Sequence, residues 1–226
     1  SSAYYLGFNF DGIKIAYAVS FGCVTYPEEQ FSIAAKYLKS FSRISVRENT
    51  GKNIVSSMGI KNVSVAPDPT LLMPYSFFDN LADQYEGKVS RDYTYCFFIR
   101  NIKERKALIK DRTRDLIWNN DLGDSSVESW LYLIKHANAV ITDSFHCVVM
   151  CLKFHIPFAA ITELNGNVGM NDRFYTLLTP IKMANRILYK NNLNEIEIVL
   201  STKINWNSVD MYLNSLRNIG KKFLNF

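Results

Sequence analysis

A histidine follows the most apolar strand-like segment of the chain. Residues 138–146 run Asn-Ala-Val-Ile-Thr-Asp-Ser-Phe-His, and an amphipathic stretch continues from there. The pattern predicts a buried strand, a polar turn with Asp143 and Ser144, and a helix whose first turn carries His146. Polar groups beside a helix N-terminus, at the carboxyl end of a strand, occupy the usual ligand position of an open α/β sheet. This segment is therefore the strongest candidate for chemistry.

His146 is a candidate acid–base group. An imidazole titrates close to neutral pH, so it can take up and release a proton at cellular pH. A histidine that is hydrogen-bonded inside the sheet is the alternative, and spacing alone favours neither. His136 ends a predicted helix and His155 lies two residues before Pro157 at the end of another, so both are better explained as structural residues.

Three arginines are candidate ligands for an anion. Arg47 ends a strand-like segment, Arg100 ends another, and Arg173 follows a glycine-containing loop. The guanidinium fork is well matched to phosphate and carboxylate groups. A surface ion pair with Glu48 is the alternative for Arg47, and a plain surface position is the alternative for Arg100. Asp68 lies between two prolines and is first of all a turn residue.

The composition limits the class of protein. With 226 residues and 48% hydrophobic residues, the chain is long and apolar enough for a packed core. The net charge of +5 suits anionic small molecules or a membrane surface. It falls short of a nucleic-acid footprint, which needs clustered Lys and Arg, so no nucleic-acid partner is predicted. No apolar run reaches the ~20 residues of a membrane span. The four cysteines form no CxxC pair, and neither a metal site nor a cofactor motif is predicted.

The predicted elements alternate between strands and helices in two series. The first series has strands at 13–22, 44–48 and 63–66, separated by helices at 27–41 and 50–58, with Thr50 as the cap of the second helix. Residues 74–92 are predicted to be a linker or crossover. A second series begins near residue 93, and helices are predicted at 172–180, 193–200 and 207–224. Such alternation indicates an α/β fold with parallel sheets.

Several phrases, taken in order, resemble the polysaccharide pyruvyl transferase family. They are YL at 5–6, IAYAVSFG at 15–22, ISVRE at 44–48, DPTLL at 68–72, SWL at 129–131, VITDSFH at 140–146, RFYTLL at 173–178 and NRIL at 185–188. The likeness covers roughly residues 4–190. The ordered set is more specific than any single phrase, and VITDSFH is its strongest member.

The resemblance implies two Rossmann-like parallel-sheet domains that resemble the glycosyltransferase B architecture. The expected divisions are a partial N-terminal domain at 1–85, a C-terminal domain carrying VITDSFH at 86–192, and C-terminal helices at 193–226. Full-length relatives have a further segment before the first phrase. The chain is therefore expected to be a truncated form with an incomplete first domain.

The resemblance also implies transfer of pyruvate from phosphoenolpyruvate onto two sugar hydroxyls, as a ketal, in bacterial exopolysaccharide or capsule synthesis. His146 matches the family's acid–base histidine, and Arg47 matches an arginine that is suited to bind an anion. Asp143 and Ser144 are expected to contact substrate as well. Some relatives carry a donor-binding arginine at the position of Ser144, so Arg100 or Arg173 would have to replace it. Cys147 occupies the position after this histidine that is usually glycine in the family.

The expected partners are phosphoenolpyruvate as donor, with no cofactor, and a sugar or lipid-linked oligosaccharide as acceptor. The expected location is the cytoplasm, with peripheral contact at the inner membrane face. Two alternatives stay open on the sequence. One is a nucleotide-sugar-dependent enzyme of the glycosyltransferase B type, and the other is a non-catalytic binding fragment.

Overall fold

Two parallel sheets contain the strands that the computed structural model describes, over residues 2–8, 10–87, 89, 92–123, 126–162 and 171–225. The chain forms two compact units. Unit 1 comprises Ser1–Leu72, Asn165–Leu177 and Ser215–Phe226, and unit 2 comprises Met73–Leu164 and Leu178–Asn214. The predicted domain limits stay a prediction, because compactness alone does not show which parts fold independently.

The elements follow one another in the order that the sequence pattern indicates. The strands are β1 (Ile15–Val19), β2 (Arg43–Val46), β3 (Val63–Val65), β4 (Thr94–Phe97), β5 (Leu116–Trp118), β6 (Ala139–Thr142), β7 (Phe158–Ile161) and β8 (Ile187–Leu188). The α-helices are α1 (Glu28–Leu38), α2 (Asn49–Ser57), α3 (Tyr75–Ala82), α4 (Ile102–Ile109), α5 (Val127–Lys135), α6 (Phe145–Phe154), α7 (Asp172–Leu178), α8 (Ile196–Ser201) and α9 (Trp206–Leu224). Short 3-10 helices occur at Ser2–Tyr5, Pro69–Leu71, Asn119–Asp121, Thr179–Ile181, Ala184–Arg186 and Lys190–Glu195.

Unit 1 is built on a three-stranded parallel sheet in the order β1-β2-β3. Apolar residues of all three strands pack against α1 and α2 in one core: Ala16, Ile44, Val46 and Val63 with Ala34, Leu38, Ile54, Val55 and Met58. The C-terminal part of α9 also packs on this sheet, where the rings of Tyr17 and Phe223 are 5.7 Å apart. Nη1 of Arg43 donates to the Phe223 carbonyl at 2.6 Å. Both contacts are local to unit 1.

Unit 2 is built on a five-stranded parallel sheet in the order β5-β4-β6-β7-β8. Helices α4 and α8 contribute to one buried cluster with residues of β4, β6, β7 and β8. Helix α5 contacts residues on the other face of β4, where the Phe97 and Trp130 rings are 5.6 Å apart. The chain leaves β4 toward β5 on one side and returns to β6 on the other, so the strand order reverses between β4 and β6. Such a reversal opens a crevice at the carboxyl ends of the two strands.

The α/β class and the Rossmann-like parallel sheets are confirmed, but one segment differs from the prediction. Residues predicted to be a linker or crossover contain the helix α3, which buries Phe78 and Ala82. Its neighbour α6 supplies Lys153, whose Nζ donates to the Met73 carbonyl at 2.8 Å and lies 5.3 Å from the Phe78 ring centroid. The two-residue strand β8 was not predicted either. In both cases tertiary packing decides the conformation, and a short apolar run does not reveal it.

Candidate functional site

The VITDSFH segment of unit 2 forms the predicted strand, turn and helix. Phe97 and Thr142, the last residues of β4 and β6, are register partners. Oγ1 of Thr142 donates to the Phe97 carbonyl at 2.7 Å and accepts from the Ser144 amide at 3.0 Å. Oγ of Ser144, the N-cap residue of α6, accepts from the Cys147 amide at 3.4 Å. The turn is therefore fixed at the crevice between β4 and β6.

Asp143 ties the loop after β4 to the same turn. Its carboxylate accepts from the Ile99 amide at 2.8 Å and from the Arg100 amide at 3.1 Å. Burial raises the pKa of Asp143, and the two amide bonds together with the charges of Arg105 and Arg100 oppose that rise. Asp143 thus orders the loop that carries the exposed Arg100. Its predicted contact with substrate stays a prediction.

His146 is the solvent-exposed position of an otherwise buried helix. The other nine residues of α6, from Phe145 to Phe154, are buried. The His146 ring meets the Phe145 ring edge to face, with centroids 5.8 Å apart. The imidazole is therefore not buried inside the sheet, and the predicted acid–base role of His146 stays a prediction. The imidazole stands at the first turn of α6, beside the strand-order reversal, where a ligand can reach it.

Arg47 of unit 1 forms an ion pair at the carboxyl ends of β2 and β3. Its Nη1 lies 2.9 Å from Oδ2 of Asp68, and the two side chains are 17% and 1% exposed. The other oxygen, Oδ1, accepts from the Thr70 amide at 2.9 Å and from the Thr70 hydroxyl at 2.6 Å. A surface pair with Glu48 therefore does not describe Arg47. Asp68 is both the turn residue predicted and the partner of this arginine.

Glu48 is a buried carboxyl group that is not among the site residues predicted from the sequence. Its Oε1 accepts from the Phe21 amide at 3.0 Å, and the group is 1% exposed. Burial raises the pKa of Glu48, while hydrogen bonds from Ser20 and Phe21 and the charges of Arg47 and Arg173 oppose the rise. The structure therefore brings Arg47 and Arg173 close to the same carboxyl group within unit 1.

The raised pKa of Glu48 predicts a pH dependence of stability. The native state holds this proton more tightly than the unfolded chain, so the free energy of unfolding falls as pH rises from the ordinary carboxyl pKa of about 4.3 through the raised value. Glu48→Gln is expected to reduce this fall, as measured by urea denaturation at a series of pH values. The exposed Glu195→Gln is the control and is expected to leave the slope unchanged. If the free energy of unfolding depended on pH equally in wild type and Glu48→Gln, the pKa of Glu48 would not be raised in the folded protein.

An aspartate from a distant part of the chain caps α2. Oδ2 of Asp172 accepts from both the amide and the hydroxyl of Thr50, each at 2.9 Å. The prediction that Thr50 itself caps the helix is wrong, because α2 already begins at Asn49 and its N-cap residue is Glu48. The bond fixes the start of α7, and hence the neighbouring Arg173, against α2.

Removal of this cap has an expected stability effect. Asp172→Ala leaves the Thr50 amide without its acceptor, and the loss of an N-terminal cap typically costs about 1 kcal/mol in the free energy of unfolding. Urea denaturation measures the difference. Asp111→Ala removes an exposed aspartate elsewhere in the chain and is expected to change stability by less than half as much. If Asp172→Ala lowered the free energy of unfolding no more than Asp111→Ala does, the contact with Thr50 would not stabilise the fold.

A bulge in β1 sets the direction of the loop that Glu48 binds. The register runs from Ala16 opposite Ile44 to Val19 opposite Val46, so β1 holds one extra residue. Ala18 has a φ of 46°, a region that L-residues rarely adopt. Oγ of the fully buried Ser45 accepts from the Ala18 amide at 2.9 Å and donates to the Ala16 carbonyl at 3.3 Å. Bulges commonly re-aim the chain beside functional sites.

Ser45→Ala tests the importance of this bulge. The substitution leaves the buried amide of Ala18 without an acceptor, which is expected to cost about 1–3 kcal/mol in the free energy of unfolding. Ser64→Ala is a matched control, because Ser64 is the register partner of Ser45 on β3 and its side chain is exposed. A thermal or urea denaturation in which both variants match wild type would refute the role given to Ser45.

The predicted site residues thus form two groups, one in each unit. Asp143, Ser144, His146 and Arg100 lie at the ends of β4 and β6, and Arg47 and Arg173 lie near Glu48. Among the described residues, no group of three or more His, Cys, Asp or Glu side chains is placed to hold a metal ion. Within the same ranges, no helix has the length and apolar character needed to cross a membrane.

The comparison with known families agrees with the ordered phrases. The family model described as polysaccharide pyruvyl transferase matches residues 3–165, which is well over half of the chain. No curated protein matches the sequence. The matched region contains His146, Asp143, Ser144, Arg100 and Arg47. The chain belongs to the polysaccharide pyruvyl transferase family.

Proposed function

We propose that the protein transfers the pyruvyl group of phosphoenolpyruvate to two hydroxyls of a sugar and forms a cyclic ketal. Membership of the family supports a pyruvyl transferase that acts on polysaccharide. The observation that carries the proposal is the exposure of His146 at the first turn of the buried helix α6. A histidine in that position can exchange protons with a substrate at the end of the sheet.

The reaction needs a group that both donates and accepts protons. One proton must reach the methylene carbon of phosphoenolpyruvate, which becomes the methyl group of the product. One sugar hydroxyl then bonds to the adjacent carbon, the carbon–phosphate oxygen bond breaks, and a second hydroxyl closes the ketal. Each hydroxyl loses its proton, so one proton replaces that taken up by carbon and the other leaves with phosphate. His146 is proposed to carry out these transfers as general acid and base.

The anionic groups of the donor need cationic ligands. Phosphoenolpyruvate carries a phosphate and a carboxylate, and arginine binds both with paired hydrogen bonds. Arg47, Arg173 and Arg100 are the proposed substrate-binding arginines, and Ser144 and Asp143 complete the proposed set. Charge neutralisation at the departing phosphate would lower the barrier to its release. The proposed reaction uses no cofactor.

The biological setting is proposed from the family resemblance. The acceptor would be a sugar or lipid-linked oligosaccharide in the synthesis of a bacterial exopolysaccharide or capsule, on the cytoplasmic side of the inner membrane. The two Rossmann-like sheets would correspond to the domains of a glycosyltransferase B architecture. The net charge of +5 is compatible with peripheral contact at an anionic membrane surface.

A donor assay tests the proposal against a nucleotide-sugar-dependent reaction. The protein is incubated with an oligosaccharide acceptor and either phosphoenolpyruvate or a set of nucleotide sugars. The expected result is acceptor-dependent release of phosphate from phosphoenolpyruvate, with no nucleoside diphosphate formed. Release of nucleoside diphosphate alone would contradict the proposal. Reactions without acceptor are the control for plain hydrolysis.

A further inference from the structure

Unit 2 contains a cavity away from the candidate residues of its sheet. The cavity has a volume of about 510 Å³ and is lined by residues 180–186 and 202–212 in part. Arg186 on its wall donates through Nη1 to the carbonyl of Phe158, the first residue of β7, at 3.0 Å. The cavity is therefore at the amino ends of the parallel strands, whereas His146 follows the carboxyl end of β6. Its size is typical of a site for a small ligand.

The wall of the cavity carries positive charge without acidic residues. Lys182, Arg186 and Lys203 line it, and none of the lining residues is Asp or Glu. Arg186 is 2% exposed and its Nη2 donates to the Thr202 carbonyl at 2.6 Å. Among the described residues, both of its hydrogen bonds go to main-chain carbonyls, and no carboxylate pairs with it. A guanidinium carries a full positive charge, and the two carbonyls accept hydrogen bonds from it without neutralising that charge.

The charge of this wall persists at neutral pH. Burial lowers the pKa of Arg186 to about 10, which still leaves the group protonated. Neither Lys182 nor Lys203 forms an ion pair with a described residue. Arg186 also lies over the Phe158 ring, 5.6 Å from its centroid, but it meets no carboxylate in the described part of the chain. Buried charges are normally paired with opposite charges, so this guanidinium on a wall with two lysines is a favourable place for an anion.

Lys182 also has a backbone conformation that glycine adopts at lower steric cost. Its φ is 58°, in the left-handed region that glycine adopts without steric cost. This conformation ends the 3-10 helix Thr179–Ile181, of which Lys182 is the C-cap residue, and so places Lys182 on the cavity wall.

The remaining lining residues suit a polyol. Asn185, Asn205, Ser208 and Tyr212 place amide and hydroxyl groups on the wall, beside apolar residues such as Ile181. We propose that the cavity binds an organic phosphate, such as a sugar phosphate or the glycerophosphate headgroup of a lipid. Three cations and no carboxylate favour a phosphate over a single carboxylate, and the amides and hydroxyls match hydroxyl groups. This second ligand site goes beyond the proposed function.

Calorimetric titration of the whole chain with glucose 6-phosphate tests the proposal. The expected result is one bound molecule per chain. The double variant Lys182→Gly, Lys203→Ala is expected to bind at least about tenfold more weakly, which corresponds to 1.4 kcal/mol. Its melting temperature should not fall, because glycine tolerates the backbone at 182. The matched control is Lys103→Ala with Lys110→Ala, two exposed lysines of unit 2 outside the cavity, and it should bind as wild type does.

A second arm distinguishes a free phosphate from a lipid headgroup. Vesicles of phosphatidylglycerol and of phosphatidylcholine replace glucose 6-phosphate in a co-sedimentation assay on the same variants. Binding to phosphatidylglycerol alone, lost in the double variant, would assign the phosphate to a lipid. The proposal is overturned if neither probe binds, if binding survives in the double variant, or if Arg173→Ala abolishes it. The last result would place the bound phosphate at the arginines of unit 1.

Discussion

His146→Ala is expected to lower the rate of ketal formation by about 10²–10⁴-fold, the usual effect of removing a general acid–base group. The imidazole is the exposed side chain on a helix whose other nine residues are buried, so its removal opens no cavity in the core. The free energy of unfolding should therefore change by less than about 0.5 kcal/mol. Initial rates of phosphate release and urea denaturation measure the two quantities.

His136→Ala is the control for the loss of an imidazole. His136 ends helix α5 in the same unit, and its ring lies 4.3 Å from that of Tyr132. This substitution should leave the rate within a few-fold of wild type. If His146→Ala also kept the rate within a few-fold, with both proteins folded, His146 would not transfer the protons and the proposed mechanism would be wrong.

Asp68→Asn is expected to have the largest effect on stability. The substitution removes the charge that faces Nη1 of Arg47, and removing one member of a buried ion pair typically costs about 3–5 kcal/mol. The Arg47 side chain is 17% exposed, so water will recover part of that cost and we expect about 3 kcal/mol. The asparagine oxygen can still accept the two bonds from Thr70, so the change isolates the charge.

The matched control for Asp68→Asn is an exposed pair. Asp83 lies 2.6 Å from Nζ of Lys135, which also pairs with Asp79 at 2.7 Å, and the Asp83 side chain is 59% exposed. Asp83→Asn should lower the free energy of unfolding by no more than about 1 kcal/mol. Urea denaturation of both variants gives the comparison. Equal losses of unfolding free energy would mean that burial does not strengthen the Arg47–Asp68 pair.

The strand, turn and helix around His146 could be predicted because their signals are local. A short apolar run, a serine able to cap, and a second, longer apolar stretch specify β6, the turn and α6 within 17 residues, 138–154. The α/β alternation likewise follows from periodicity. The sequence does not predict whether His146 is buried or exposed, because α6 is apolar around nearly its whole circumference. Only the packed structure shows which single residue faces solvent.

The contacts around the arginines could not be predicted in the same way. Asp172 caps α2 from 122 residues away, and Ser45 holds a bulge in β1 from 27 residues away. Such partners depend on how the sheet and helices assemble, and no nearby residue signals them. The sequence offers only the neighbouring Glu48 as an alternative partner for Arg47, whereas folding brings Asp68 to it. Helix α3 has only eight residues, Tyr75–Ala82, and so short a helix depends on tertiary packing that the sequence does not reveal.

Transfer of label from phosphoenolpyruvate to a sugar tests the central claim most directly. The protein is incubated with phosphoenolpyruvate labelled with carbon-13 at the carbon that bears the phosphate, together with an oligosaccharide acceptor, and the products are followed by NMR. The account predicts a labelled quaternary carbon bonded to two sugar oxygens, formed in equal amount to phosphate. Label that stays in phosphoenolpyruvate or appears only in free pyruvate, across acceptors that the protein binds, would contradict it.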